Sequence, residues 1–458
     1  MDYREAFRVL SRQIGEIEAI DAHTHINSSH MAARGLHDVM LYHMVISDLY
    51  AAGCPSGQRL SENPDDDEAA RRIEEAIPLL EHIQNTSCYW LMRTILSDLY
   101  EWKEPVTLAN WRDLDSRIRR RSADSNWPRE ILRRARVRRL CTELPLRGDG
   151  SNDDILFYSL EWAFFMRNQW GAFDAPLYEL EHAWQFNKPV RPLPVTISRR
   201  EPVKRRIATV ADVREAMAHY CRAIPYEQIV STAHHVSTDM HYSLVTDEQM
   251  QKALDRRDNA GPGERDAYAS YLFEHLLLEL EKEHSGIAFQ FSLGAEPLPF
   301  ETGSRLRQAT IRELAEIISR HAQIQFHCYL SSKQANQSLC TLCRELPNLC
   351  LAGYWWHNFF PHAIAQVIDE RLDMLPTNRQ IGFFSDAYCL EWLYVKSILV
   401  RSELARALAH RIERGQYTVD EAIKIARKLL RETPERLLGL PQDRRTWAVQ
   451  QEHSTHNS

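Results

Sequence analysis

The sequence predicts an α/β protein of the (β/α)8 TIM-barrel type. Three observations favour this fold: about eight short apolar segments typical of buried strands, helical patterns between them, and a length of 458 residues, which accommodates such a barrel with additions. The first segment, residues 16–22, is a short apolar run that becomes polar at His23. Runs of this kind are typical of parallel strands that are buried on both faces.

The other elements follow in order along the chain. Further strands are predicted at Val137–Thr142, Val190–Thr196, Gln228–Thr232, Ile287–Leu293, Ile324–Tyr329, Leu349–Gly353 and Gln380–Ser385. Apolar residues spaced by three and four predict helices at Ala211–Ile224, Ile311–His321, Ser331–Leu346, His362–Arg371, Leu390–Gly415 and Val419–Leu440. Residues from about 31 to 134 are predicted to be a helical insertion after the first strand. We expect residues 1–440 to form a single barrel and the polar residues 441–458 to form a frayed C-terminal tail.

Composition and charge exclude several classes of protein. Hydrophobic residues make up 44% of the chain, charged residues 26%, and the net charge is −7, so neither a disordered protein nor a nucleic-acid-binding protein is expected. The arginines between positions 133 and 139 are interpreted as a solvated helix face. No segment has the ~20 apolar residues that span a bilayer, and the N-terminus lacks the apolar stretch of a signal peptide, so we expect a cytoplasmic protein without membrane contact.

The nine cysteines are expected to be free thiols, because their number is odd and the chain carries no export signal. Cys340 and Cys343 form a Cys-x-x-Cys pair within a helical pattern. No second cysteine pair lies at the spacing of a zinc site, so we interpret them as buried helix thiols.

Polar side chains recur at the carboxyl ends of the predicted strands, where the active sites of such barrels lie. His23 and His25 end the first strand, and Asp386 follows the last. The other polar or aromatic residues at predicted strand ends are Thr142, Glu143, His234, His235, His327, Trp355, Trp356, His357 and Asn358. Because parallel strands end at one face of a barrel, these side chains are expected to converge.

His23 and His25 lie two residues apart, so both side chains leave an extended strand on the same face. Two imidazoles and a carboxylate suit Zn²⁺ and also Mn²⁺ or Fe²⁺. We therefore predict one divalent ion, zinc in the first instance, bound by His23, His25 and Asp386, with His327 as a candidate fourth ligand. A two-metal site would need a bridging carboxylate or modified lysine, and residues 228–242 contain no lysine.

With these residues, the sequence resembles the amidohydrolase superfamily and, within it, uronate isomerase, a (β/α)8 barrel that interconverts hexuronates and ketohexuronates. His23-Thr24-His25 resembles the metal-binding His-x-His of that family, and residues 381–386 resemble its eighth strand. Three further segments are similar to the family's sequences: residues 41–53 to its His-Tyr-Lys-Trp-Arg segment, residues 126–145 to its second strand, and residues 353–358 to its Gly-x-Gly-Trp-Trp-Phe-Asn-Asp segment.

The resemblance implies that Asp386 is both a metal ligand and a proton-transfer group. Where the family has Ser-Arg after this aspartate, the chain has Ala387-Tyr388, and Tyr388 becomes the candidate relay for a hydroxyl proton. The His and Arg of the family's fifth strand are also missing, and His327 on the sixth strand is a further catalytic candidate. The predicted substrate contacts are His43, Arg305, Trp356 and His357, with Arg305 the first candidate for a carboxylate partner.

Together with the resemblance, these residues predict a metal-dependent isomerase that acts on a hexuronate or related sugar acid, and we expect it to form a homo-oligomer. The alternative is a metal-dependent hydrolase, in which activated water attacks an amide, an ester or a C–C bond. Oxidation at a non-haem iron is compatible with the same ligands. A binding protein without turnover is disfavoured, because both histidines and Asp386 are present.

Overall fold

The computed structural model describes residues 1–56, 64–143, 154–162, 174–187, 202–236, 241–284, 286–294, 306–331, 333–355, 357 and 359–440. Within these ranges, eight parallel strands form one sheet in the order β1 to β8. The strands are Ala19–Asp21 (β1), Val137–Glu143 (β2), Leu156–Trp162 (β3), Ser231–Val236 (β4), Ala288–Leu293 (β5), Gln325–Leu330 (β6), Leu349–Ala352 (β7) and Gln380–Ile381 (β8).

The sheet curls and brings the segments that follow its first and last strands together. Three backbone hydrogen bonds join the segments that follow β1 and β8: Ala22 N to Phe383 O (3.4 Å), Asp386 N to His23 O (3.1 Å) and His25 N to Ala387 O (2.8 Å). Together with the parallel order of the strands, these bonds give a TIM-like α/β fold and confirm that part of the prediction.

The helices that surround the sheet begin with Tyr3–Gly15 (α1), which precedes β1. Between β1 and β2, in the region predicted as a helical insertion, the chain forms Leu36–Met40 (α2), His43–Ala51 (α3), Asp66–Ala76 (α4), Ser87–Tyr100 (α5), Trp111–Ser122 (α6) and Trp127–Ala135 (α7). The later helices are Asp174–Phe186 (α8), Val210–Arg222 (α9), Asp247–Asp255 (α10), Pro262–His284 (α11), Gln308–Arg320 (α12), Asn336–Glu345 (α13), Pro361–Met374 (α14), Leu390–Glu413 (α15), Val419–Arg427 (α16) and Thr433–Leu437 (α17).

Side chains alternate between the two faces of each strand, as in any extended chain. On β5, Phe289, Phe291 and Leu293 pack outward against the helices, whereas Ala288 packs in the barrel interior. The strand is buried at every position, as expected for a parallel strand that is covered on both faces. The core therefore has an outer layer under the helices and an inner layer inside the barrel.

Four strands differ from the sequence prediction. The first comprises only Ala19–Asp21 of the predicted residues 16–22. The third strand is Leu156–Trp162, which the sequence did not single out, and the proposed strand Val190–Thr196 lies outside the described residues. The fourth strand begins at Ser231, three residues later than predicted. The eighth comprises only Gln380 and Ile381, because regular pairing with β7 stops there. The predicted tail 441–458 also lies outside the described residues.

None of the helices in the described ranges combines the length and the apolar character that crossing a bilayer requires.

Candidate metal centre

His23, His25 and Asp386 come together where β1 and β8 end. The Nε2 atom of His25 lies 3.3 Å from Oδ1 of Asp386, and Nε2 of His23 lies 3.9 Å from the same oxygen. One ligand atom from each of the three side chains lies within 4.8 Å of the other two. Within the described part of the chain, no other group of three histidine, cysteine, aspartate or glutamate side chains meets this geometry.

The donor atoms of this group fit a divalent metal ion. Two imidazole nitrogens and a carboxylate oxygen are ligands for Zn²⁺, Mn²⁺ and Fe²⁺, and three protein ligands leave coordination positions for water or substrate. His23 and Asp386 are buried, whereas the side chain of His25 is 19% exposed. The centre is therefore held on a buried floor and is open to solvent on the side of His25.

The electrostatics of Asp386 also suit a ligand role. Burial raises the pKa of its carboxyl, but a hydrogen bond with His25 and neighbouring positive charges outweigh this effect and hold the pKa well below the usual range. The carboxylate is therefore ionised at neutral pH.

The backbone at Asp386 is unusual. Asp386 has a φ of 55°, in the left-handed region that non-glycine residues seldom adopt. Its carbonyl accepts a hydrogen bond from the Tyr42 hydroxyl at 2.8 Å, and the preceding carbonyl of Ser385 accepts one from Nζ of Lys396 at 2.7 Å. Contacts from two distant segments thus hold the turn that carries the carboxylate.

Asp21, the last residue of β1, links the two sides of the centre. Its Oδ1 accepts hydrogen bonds from the backbone N–H of Ser385 at 2.9 Å and from that of His23 at 3.4 Å. Burial raises the pKa of Asp21 to about 7, although these bonds oppose the shift. Asp21 therefore positions the chain on both sides of the metal ligands. The sequence signal that could have revealed it is an aspartate at the end of the first strand, two residues before His23.

The ends of β1 and β2 are also tied together. The Thr24 hydroxyl donates to the carbonyl of Cys141 at 2.7 Å, and the Thr142 hydroxyl donates to the carbonyl of Ile26 at 2.5 Å. These bonds fix the segment that carries His23 and His25. The strand-end Thr142 therefore supports the centre through the backbone.

Tyr388 and His43 lie on the His25 side of the centre. The Tyr388 ring stacks on His25, with centroids 4.8 Å apart and an angle of 16° between the planes. His43, the first residue of α3, is buried. The centroid of its ring lies 5.7 Å from that of Tyr388 and 5.8 Å from that of Phe359. These aromatic rings form one wall beside His25.

His357 lies in the segment after β7 and is buried. Its Nε2 has no hydrogen-bond partner among the described residues. Burial, with the charges of Arg371 and Lys333, lowers the pKa of His357 to about 4, so the ring is neutral at pH 7. The other two predicted substrate contacts, Trp356 and Arg305, lie outside the described residues.

His327 lies in the middle of β6 and is fully buried. Tyr329, on the same face of the strand and two residues nearer its carboxyl end, has its ring 5.2 Å from that of His23. His327 therefore lies one step deeper in the barrel than the residue that contacts the centre. Neither of its ring nitrogens has a partner among the described residues, and burial lowers the pKa of His327 to about 3.

His234 and His235 lie within β4 rather than after it. The His234 ring stacks on Phe289 at 4.0 Å, and Phe289 belongs to the outer core under the helices. His234 thus faces away from the barrel interior. The expectation that it follows the strand was wrong, because the strand begins and ends later than the sequence suggested.

Cys340 and Cys343 are free and buried in α13. The expected free thiols are found at all nine cysteine positions.

Comparisons with known proteins place this geometry in context. The sequence matches no protein-family model, and no curated protein matches it. Solved structures do match over nearly the whole chain. Glucuronate isomerase from Caulobacter crescentus has a TM-score of 0.76 and 14% sequence identity, covering 97% of this chain and 96% of that one. Uronate isomerase from Thermotoga maritima has a TM-score of 0.74 and 13% identity, covering 95% and 97%.

A third structure comes from Lactobacillus casei and is provisionally assigned as a metal-dependent hydrolase. Its TM-score is 0.55 and its identity 12%, with 94% of this chain and 97% of that one covered. At these identities the likeness concerns the fold. The resemblance that the sequence predicts is thus confirmed at that level: the chain has the fold of the uronate isomerases.

Proposed function

We propose that the protein is a metal-dependent aldose–ketose isomerase that acts on a hexuronate or a related sugar acid. The observation that carries the proposal is the cluster of His23, His25 and Asp386 at the ends of β1 and β8. The fold shared with two uronate isomerases over more than 90% of the chain supports it.

His23, His25 and Asp386 would hold one divalent ion, with zinc as the first choice and manganese or iron as the others. When bound, such an ion polarises the carbonyl and hydroxyl oxygens of the substrate. The protein's own contribution is to place a base and a proton relay next to these oxygens.

Asp386 is the proposed base. An ionised carboxylate can take the proton from the carbon next to the carbonyl and return it to the neighbouring carbon. The oxygens exchange roles in the same step, so a second group must carry a proton from one oxygen to the other. Tyr388, stacked on His25, is the proposed relay.

The proposed substrate contacts are His43, His357, Trp356 and Arg305. His43 is supported by its ring contacts with Tyr388, and His357 by its buried Nε2, which has no hydrogen-bond partner among the described residues. A buried donor or acceptor without a hydrogen-bond partner destabilises the folded protein. A substrate hydroxyl that pairs with Nε2 of His357 would therefore strengthen substrate binding. Trp356 and Arg305 are proposed from the sequence, and His327 is proposed as a second-line catalytic candidate.

A hydrolase is the second candidate. Tyr388 stands where the resembled family has arginine, which removes one partner for a substrate carboxylate. The structural likeness to a provisionally assigned metal-dependent hydrolase also favours this alternative. In that case Asp386 would serve as general base toward water.

We also propose that residues 1–440 form one domain, in which α2 to α7 are an insertion into the barrel. The proposed oligomer is a homo-oligomer and the proposed location is the cytoplasm.

Elemental analysis of the purified protein, followed by assays with D-glucuronate and D-galacturonate, tests the function. We expect about one equivalent of metal and formation of the ketose. Tyr388→Phe should retain the metal and lose turnover, because the ring remains while the relay proton is removed. Metal without turnover of either uronate would overturn the isomerase and direct the search to hydrolase substrates. Protein without metal would overturn both.

A further inference from the structure

Lys396 is a fully buried lysine with an unusual set of partners. Its Nζ donates to the carbonyl of Ser385 at 2.7 Å and to the Tyr42 hydroxyl at 3.1 Å. It also lies 4.1 Å from the ring centroid of Phe359. Among the described residues, no carboxylate accepts a hydrogen bond from it. Burial lowers the pKa of Lys396 to about 7, and burying this amine without a hydrogen-bonded carboxylate is costly. Its role therefore lies in the backbone groups that it holds.

What Lys396 holds is the turn at Asp386. The Tyr42 hydroxyl, which accepts from Lys396, donates to the carbonyl of Asp386 at 2.8 Å. Lys396 thus binds one carbonyl directly and the next through Tyr42. Those two carbonyls flank the left-handed backbone of Asp386, a conformation that is strained for a non-glycine residue and persists only where its surroundings impose it.

The other hydrogen bonds of the turn do not replace those made by Lys396 and Tyr42. The backbone N–H groups of Ser385 and Asp386 are bonded to Asp21 and to the carbonyl of His23. These bonds fix the N–H side of the turn, whereas Lys396 and Tyr42 fix the carbonyl side. Without them, the carbonyls of Ser385 and Asp386 would lose these hydrogen bonds, and the peptide planes on either side of Asp386 could rotate.

We propose that Lys396, acting in part through Tyr42, is a positioning residue that holds the left-handed turn at Asp386 and thereby aims its carboxylate at His23 and His25. The proposal rests on the metal centre of the proposed function but not on the isomerase reaction. Lys396 itself is completely buried on the backbone side of the turn, so it positions a ligand rather than contacting substrate.

The direction in which metal affinity changes when Lys396 is removed distinguishes a positioning role from a purely electrostatic one. A positive charge near a divalent cation repels it, so removing the charge of Lys396 without disturbing the turn would strengthen metal binding. If Lys396 positions Asp386, its removal weakens metal binding instead.

The test compares Lys396→Met and Tyr42→Phe with the wild type. Tyr394→Phe is the matched control, because Tyr394 lies on the same helix α15 and its hydroxyl bonds Asp98 at 3.1 Å, away from the turn. Metal affinity is measured by chelator competition, ligand geometry by the visible spectrum of the Co²⁺-substituted protein, and stability by the melting temperature of the metal-free protein.

For Lys396→Met we expect metal affinity to fall about 10- to 100-fold, the usual effect of removing a group that orients a ligand. The Co²⁺ spectrum should change, while the melting temperature should fall only modestly, because the lost hydrogen bonds of Lys396 are offset by removal of a costly buried amine. Tyr42→Phe should weaken binding less, since the bond from Lys396 to Ser385 remains. Tyr394→Phe should leave affinity and spectrum unchanged.

Unchanged or tighter metal binding in Lys396→Met, with an unchanged Co²⁺ spectrum, would overturn the positioning role while leaving the metal centre intact. Failure of the wild type to bind metal would overturn the centre itself, which is a distinct result. If Lys396→Met does not fold, Tyr42→Phe decides, because it keeps the ring and its packing and removes only the hydroxyl.

Discussion

At the junction of β1 and β8, the strands are only three and two residues long, and His23, His25 and Asp386 follow them. On the other side of the sheet, β4 and β6 are six residues long, and His234 and His327 lie inside them. Where regular pairing stops early, the backbone can turn, and the polar side chains converge. Where strand pairing continues, successive side chains point alternately to the inner and the outer face of the sheet. A histidine near a strand end therefore joins the site only if the ladder has already ended.

We expect the largest effect from Asp386→Asn at the β1–β8 junction, with His327→Leu as the corresponding change inside a long strand. Asp386→Asn removes the charged ligand, and we expect metal affinity to fall by at least about 100-fold. His327→Leu replaces a fully buried ring whose nitrogens have no described partner, so metal content should stay unchanged and the melting temperature should stay the same or rise. Elemental analysis and thermal unfolding measure both.

A comparable loss of metal in folded His327→Leu would contradict the distinction between the strand junction and the long strands. It would bring β6 into the metal centre. Full metal content in Asp386→Asn would remove the centre from the β1–β8 junction.

The second effect concerns the close packing behind the site. Gly353, directly after β7, has a φ of 52°, and a Cβ there would lie 1.8 Å from Cδ1 of Phe384. Phe384 stacks on Tyr329 at 4.5 Å and precedes Asp386 by two residues. Gly353→Ala should therefore destabilise the fold by about 3 kcal/mol, through overpacking and backbone strain, and should weaken metal binding as well.

Denaturant unfolding and chelator competition measure these two losses. Gly15→Ala is the matched control, because nothing lies within 4 Å of a Cβ at that helix end and its φ is ordinary. A Gly353→Ala protein as stable as the control would show that the ring of Phe384 can move, and that the floor of the centre is not rigidly packed.

The same contrast explains which residues the sequence could reveal. His23, His25 and Asp386 could be found because the strand-end rule needs only the chain order and the ends of two apolar runs. Tyr42 and Lys396 could not, because their roles depend on a contact between residues 354 positions apart and on a backbone angle at Asp386. No local pattern encodes either.

The errors on the other strands have local causes. Leu156–Trp162 was missed because a short aromatic run cannot be assigned to a strand by periodicity alone. His234 was misplaced because β4 begins at Ser231, three residues later than predicted. When the end of a strand is placed too early, polar residues that belong to the strand are wrongly assigned to the site. A shift of one residue along a strand also moves each side chain to the opposite face of the sheet.

The smallest expected effect lies on the β5–β6 side, at His321 after α12. Its Nδ1 lies 3.0 Å from Glu281 and its Nε2 lies 3.3 Å from Glu274. Burial lowers the pKa of His321, but hydrogen bonds with the two glutamates outweigh it and raise the pKa above 6.5. Burial raises the pKa of Glu274, but bonds from His321 and Arg320 lower it to about 2.

The signs of these shifts define a pH window. The His321 contribution to stability is fully present below its unfolded pKa of 6.5 and is lost as pH rises through the higher folded value. The Glu274 contribution is present above its unfolded pKa of 4.5 and is lost as pH falls toward about 2. The cluster therefore stabilises the protein most between pH 4.5 and 6.5.

His321→Gln should accordingly lower the free energy of unfolding by about 1 kcal/mol near pH 5.5 and by much less near pH 8, as measured by urea unfolding at both values. His82→Gln, with a ring that is 58% exposed, should show no such difference. Metal content should be unchanged in both variants, because this cluster lies on the helix side of the sheet. An equal loss at both pH values would mean that the ring of His321 stabilises the fold by packing, and a loss of metal would mean that the β5–β6 side is coupled to the centre after all.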